Sequence, residues 1–79
     1  MAYGNFKAYE GTLSGSEDFT FPWNAYRVVL TNDSASQDIS FTITGNEGTL
    51  LPTETFSASM RIKGLTLSGL GDYRLWIWG

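Results

Sequence analysis

The chain has neither cysteine nor histidine among its 79 residues. Without cysteine it has no disulfide staple, no thiolate nucleophile and no thiolate-held metal. Without histidine it also lacks the commonest general base and metal ligand. Charge is sparse, eight acidic side chains against five basic ones for a net charge of −3. No basic cluster exists to neutralise phosphates, so nucleic acid is not an expected partner. No apolar run approaches the roughly 20 residues of a spanning helix, so a membrane is not expected either. The N-terminus shows no charged leader and no apolar signal core, and export by a signal peptide is not expected. No metal, no cofactor and no nucleophile–base pair is indicated, and the chain reads as a non-enzyme.

Aromatic residues are abundant instead: three Trp, four Tyr and five Phe. Residues 1–79 allow one domain, and a chain this short buries only roughly 60% of the surface its unfolded form exposes. Lacking staples, such a domain depends on unusually good packing or on assembly. Homo-oligomerisation is therefore expected.

The last thirteen residues, from Leu67 to Gly79, are the stretch around which the rest is organised. Alternate counting from Tyr73 puts Tyr73, Leu75 and Ile77 on one face of a strand and Arg74, Trp76 and Trp78 on the other. Both faces carry large apolar groups. A half-exposed strand alternates apolar with polar, so this one expects cover on both sides, from its own domain or from another subunit.

Upstream, residues 1–13 read as an edge strand with an imperfect two-residue period, Phe6 and Ala8 against Lys7 and Tyr9. Ser14-Gly15-Ser16 reads as a turn. A short strand around Phe19 and Phe21 is closed by Pro22, which cannot donate to a ladder. Ala25 to Thr31 is β-branched and aromatic, with Tyr26, Val28 and Leu30 on one face, and suits a central strand. The polar run Asn32 to Gln37 reads as a loop. Asp38 to Thr44 alternates most clearly, with Ile39, Phe41 and Ile43 inward and Ser40, Thr42 and Thr44 outward.

Gly45-Asn46-Glu47-Gly48 supplies residues tolerant of positive φ for a hairpin turn, with Thr49 to Leu51 returning until Pro52. From Thr55 to Lys63 period two outscores period 3.6, because Phe56, Ala58, Met60 and Ile62 alternate with Ser57, Ser59, Arg61 and Lys63. Leu65 and Leu67 continue the pattern, and Ser68 to Asp72 reads as a turn into the final strand. The expectation is a compact antiparallel β-sandwich, jelly-roll or Ig-like, of seven or eight short strands and no helix.

The order Leu30-Thr-Asn-Asp-Ser34, Ile39-Ser-Phe-Thr-Ile-Thr-Gly45, Gly48 to Phe56 with its Pro-x-Glu-x-Phe corner, Leu65 to Gly69 and Gly71-Asp-Tyr-Arg-Leu-Trp76 resembles small all-β structural proteins of tailed bacteriophages and prophages. The resemblance covers residues 28–78. It implies a virion component, such as a capsid decoration or a neck, tail or baseplate accessory protein. Such a protein binds other virion proteins of the capsid or tail and brings no catalytic residues to carry over.

Carboxylates offer little chemistry in this pattern. Glu17 and Asp18 are sequence neighbours and point to opposite faces of a strand, whereas acid–base catalysis needs two groups held across a cleft. Asp33 and Asp38 lack the spacing of a calcium loop. Asn32-Asp33-Ser34 fits a glycosylation acceptor and Gly69-Leu70-Gly71 a fragment of a dinucleotide loop, but turn formation accounts for both.

Trp23, Arg74, Trp76 and Trp78 are the candidate interface or ligand residues. Trp76 and Trp78 lie on one face about 7 Å apart by strand rise and can act together. They read either as core and subunit-interface anchors or as a platform that stacks sugar rings, which would make the chain a carbohydrate-binding or host-receptor-binding module with host glycan as its ligand. Sugar platforms usually carry several hydrogen-bonding groups beside the rings, and Arg74 is the sole charged group on that face. Interface anchoring is preferred.

Overall fold

A computed structural model describes residues 4–79; the opening of the expected first strand, residues 1–3, lies outside the described part. Six strands form one antiparallel sheet, with no helix among the described residues: β1 (Phe6–Ala25), β2 (Arg27–Asn32), β3 (Ile39–Ile43), β4 (Asn46–Leu50), β5 (Thr55–Ala58) and β6 (Ile62–Trp78). The sheet is curled into a half-barrel.

β6, which contains most of the stretch singled out above, is the hub. One of its edges pairs with β1 without a break from Phe6↔Trp78 to Thr20↔Gly64. Its other edge is shared, β2 taking the C-terminal half from Arg27↔Trp78 to Asn32↔Tyr73 and β3 the N-terminal half from Ile39↔Gly69 to Thr42↔Thr66. β5 extends the β2 side and β4 extends the β3 side. The two wings curl towards each other, and the rings of Phe41 and Phe56 meet across them at 4.8 Å.

Seven or eight strands were expected and six are found because two turn signals are kinks inside long strands. Ser14-Gly15-Ser16 and Ser68 to Asp72 do not reverse the chain; they sit opposite each other in the β1–β6 ladder, Gly15 paired with Gly69. Gly15 (φ 133°), Gly69 (φ 142°) and Gly71 (φ 107°) take backbone angles that other residues rarely adopt. Both strands therefore bend together while their hydrogen bonding continues. A glycine-rich run carries the same signal for a bend as for a turn, since the same freedom in φ serves both.

Two further boundaries move. The β3–β4 turn is Thr44-Gly45, both with positive φ, and Ile43 pairs with Asn46. That is the signature of a two-residue type I′ turn, so Asn46 to Gly48 belong to the returning strand. A Cβ at Gly48 would fall 2.5 Å from the tip of the Phe41 ring, so a larger residue there would require that ring to shift. The strand expected over Thr55–Lys63 also divides, Ser59, Met60 and Arg61 separating β5 from β6.

Registers fix which residues share the concave face. Leu13, Phe19 and Phe21 of β1, Val28 and Leu30 of β2, Ile39 and Ile43 of β3, Leu50 of β4, and Leu65, Leu67, Tyr73, Leu75 and Ile77 of β6 form the buried core. Tyr26, expected on the same face as Val28 and Leu30, is 45% exposed while those two are buried, because it lies in the break between β1 and β2. Phe41 does face inward, but only half-buried, at the open mouth between the wings.

Asn32 is the one buried polar side chain among the described residues. Its amide donates to the carbonyls of Gln37 (2.7 Å), Leu50 (3.1 Å) and Leu51 (3.2 Å), while its Oδ1 accepts from the Ser34 N–H (2.9 Å). The last bond is an Asx turn, the role the sequence assigns to Asn32-Asp33-Ser34. The others tie the loop after β2 to the end of β4.

Candidate functional site

The final strand places its two faces as the alternation requires. Tyr73, Leu75 and Ile77 are buried in the core, and Arg74, Trp76 and Trp78 lie half-buried on the convex side. On the convex side Phe6, the register partner of Trp78, packs against both tryptophans. Its ring stands 5.1 Å from Trp78 and 6.2 Å from Trp76, edge-on to the latter. Such tilted and edge-to-face contacts suit the quadrupoles of the rings. Phe6 itself remains 54% exposed, so it caps the tryptophans and is in turn uncapped.

Beside this cluster Arg74 is held in a two-pronged ion pair, Nε donating to Asp33 Oδ2 (2.7 Å) and Nη2 to Asp33 Oδ1 (3.0 Å). The hydrogen bond and charge of Asp33 raise the Arg74 pKa, with Glu10 adding to it. The guanidinium also lies 5.6 Å from the centre of the Trp76 ring, within cation–π range. Asp33 is fixed in turn by its N–H, which donates to the Asp72 carbonyl (3.0 Å). A polar hollow of about 300 Å³ runs beside the pair, lined by Glu10, Thr12, Asp33, Asp72 and Arg74. The Trp76 Nε1 donor is buried and has no acceptor among the described residues. Such an orphan costs about 1–3 kcal/mol.

The structure therefore brings Arg74, Trp76 and Trp78 together and sets Trp23 apart. Trp23 packs against the core and the backbone of Gly79, and among the described residues its ring stacks on no other aromatic. The partner that alternation alone did not identify is Phe6. Its recognition needs the β1–β6 register, which no local pattern encodes.

The carboxylates weighed for catalysis are occupied or separated. Asp18 accepts from Thr66 Oγ1 (2.8 Å) on the convex side, whereas Glu17 shares the parity of the inner face. Asp33 is engaged by Arg74, and Asp38 is exposed. Among the described residues no group of three or more acidic, His or Cys side chains is placed to hold a metal ion.

A second concavity of about 280 Å³ opens between the wings, lined by Phe41, Ile43, Gly48, Phe56 and Met60 with Thr44, Asn46 and Glu47 at its rim. It is mostly apolar and follows from the incomplete closure of the half-barrel.

No protein-family model matches the chain, and no curated protein matches it.

Proposed function

We propose that this chain is a non-enzymatic structural component of a tailed-phage virion, a capsid decoration or a neck, tail or baseplate accessory protein, acting by oligomerisation and by docking on other virion proteins. The observation that carries the reading is the convex patch of Phe6, Trp76 and Trp78, with Arg74 locked beside it. Trp and Arg are the residues most enriched at interface centres, and a fixed Arg presents its remaining donors without losing rotamer freedom on binding. The order of motifs from residue 28 to 78 supplies the virion context. On this reading the half-barrel acts as a compact sandwich whose two layers share the bent strands β1 and β6.

A carbohydrate- or host-receptor-binding module is the competing reading, favoured by the hollow beside the Arg74–Asp33 pair with its Glu10, Thr12 and Asp72 side chains. Phe6 weighs against it: the ring stands 75° to Trp76 and 50° to Trp78, which breaks the flat surface a sugar ring would stack on. Mass spectrometry of purified particles from the producing strain tests the proposal. Recovery of the chain in fixed proportion to the capsid or tail proteins supports it, and particles free of the chain contradict it.

A further inference from the structure

We infer that the free edge of β5 and the apolar mouth beside it take up an extended segment of a partner polypeptide. The segment adds a strand next to β5 and places one large apolar side chain in the mouth, with a lysine or arginine beside it. The inference goes beyond the convex docking face and does not rest on it.

β5 ends the sheet, paired with β2 on one side and with no strand among the described residues on the other. Which of its backbone groups are free follows from the ladder. The Met60 N–H donates to the Tyr26 carbonyl (3.0 Å) and the Asn32 N–H to the Glu54 carbonyl (2.9 Å), at either end of the run from Val28↔Ala58 to Thr31↔Thr55. Bonding to one neighbour recurs at every second residue of an antiparallel strand, so Phe56 and Ala58 bond to β2. Thr55 and Ser57 therefore turn their N–H and C=O groups outward.

Natural edges are guarded by charge, proline, bulges or shortness. Thr55 to Ser59 contain neither charge nor proline, and the β2–β5 register has no shift. Shortness is the guard that remains. Thr55 and Ser57 offer an added strand about four backbone bonds, too few to hold it without a side-chain anchor.

The mouth supplies that anchor. Phe56 faces inward, as its register partner Leu30 does, and residues directly opposite on neighbouring strands share a face. A residue opposite Phe56 on an added strand thus points between the wings, where Phe41, Ile43, Gly48, Phe56 and Met60 line the concavity. Phe41 and Phe56 are only half-buried there, so their rings offer apolar surface for the anchor to cover. The volume of about 280 Å³ lies below the roughly 300–1,000 Å³ of small-molecule sites and suits a single large side chain. Backbone pairing that gives affinity and a pocket that reads one side chain are the two parts of strand addition.

Charge adds a further selection. Glu47 is the one charged residue lining the mouth; it is exposed, and the ion pair found among the described residues is elsewhere, between Arg74 and Asp33. A cationic residue next to the anchor meets it.

A displayed library of random dodecapeptides, selected on the purified full-length chain, tests the inference, with synthetic copies of the enriched sequences measured by fluorescence anisotropy. Enrichment of a large apolar residue beside lysine or arginine is expected, and no enrichment overturns the inference. Ser57→Pro removes an outward N–H while the β2 ladder keeps its bonds, and Ser57→Ala removes only the hydroxyl that accepts from Arg27 Nη2 (3.0 Å). Both are expected to keep the β circular dichroism spectrum. Ser57→Pro is expected to weaken peptide binding at least about tenfold, about 1.4 kcal/mol, and Ser57→Ala less than about twofold. Unchanged binding by the folded Ser57→Pro chain overturns the inference.

A second readout leaves the protein untouched. N-methylation of the bound peptide, one backbone nitrogen at a time, is expected to abolish binding at alternate positions only, since every second N–H points at β5. No such alternation overturns strand addition. Binding of the anchor residue's free amide as tightly as the whole peptide would make the mouth a small-molecule site, and self-association of the chain that Ser57→Pro abolishes would give the edge to a second copy; either result overturns the inference. These measurements use the purified chain and peptides alone, so their failure is distinct from absence of the chain from particles.

Discussion

Two threonines hold left-handed backbone that β-branched residues rarely adopt, Thr44 at φ 48° and Thr53 at φ 68°. Thr53 follows Pro52 in a turn closed by the Glu54 N–H on the Leu51 carbonyl (3.1 Å), a position where glycine is at ease. Thr53→Gly should therefore raise stability by about 1 kcal/mol, measured as a shift of the urea midpoint, by relieving strain. Phe41, half-exposed against Phe56, should cost about 2–3 kcal/mol on truncation to Ala, below the range for a fully buried ring, and Thr42→Ala should cost little. Equal losses from the two would mean that the inner face of β3 is misassigned. Tyr73 adds a pH dependence. Burial, then the charge of Glu17, raises its pKa above the ordinary tyrosine value. The unfolded phenol ionises near pH 10 while the folded one keeps its proton, so the stabilisation is complete below about pH 10 and is lost as pH rises through the folded value. Denaturation midpoints above that pH should fall more steeply for the native chain than for Tyr73→Phe.

At the scale of the strands, the glycine bends hold the half-barrel together. A Cβ on Gly69 would lie 2.7 Å from the Asp38 carbonyl oxygen, whereas one on Gly15 would meet nothing within 4 Å, although both glycines have positive φ. Gly69→Ala should thus destabilise more than Gly15→Ala, which carries only the backbone strain of about 1–3 kcal/mol. Thermal melts of the two variants measure the difference. The same bends mark the limit of what the sequence reveals. Alternation placed the inner and outer faces of β3 and of the end of β6, because a two-residue period depends only on neighbours in the chain. It could not separate a turn at Gly15 or Gly69 from a bend, nor pair Phe6 with Trp78 across the length of the chain. Asn32 was read as a loop residue, and its burial follows from carbonyls supplied by Gln37, Leu50 and Leu51. Arg74, Trp76 and Trp78 were legible as a shared face, while Asp33 and Phe6 joined them only through the fold.

For the whole molecule, the half-barrel buries one face of β6 and leaves Trp76 and Trp78 on the other half-buried, with the exposed Phe6 ring and the Arg74 guanidinium against them. That asymmetry is the basis for reading the convex side as a docking face. Trp78→Ala is the most direct test, since a Trp buried at an interface commonly carries about 2 kcal/mol or more of binding energy. Its side chain lies outside the core, so the variant should keep its β circular dichroism spectrum. The decisive measurement is incorporation of the folded Trp78→Ala chain into virus particles, with glycan-array binding followed in parallel. Loss of incorporation, with no glycan binding by either form, is the result expected. Normal incorporation together with loss of binding to host glycan would contradict the account and establish the sugar-binding reading in its place.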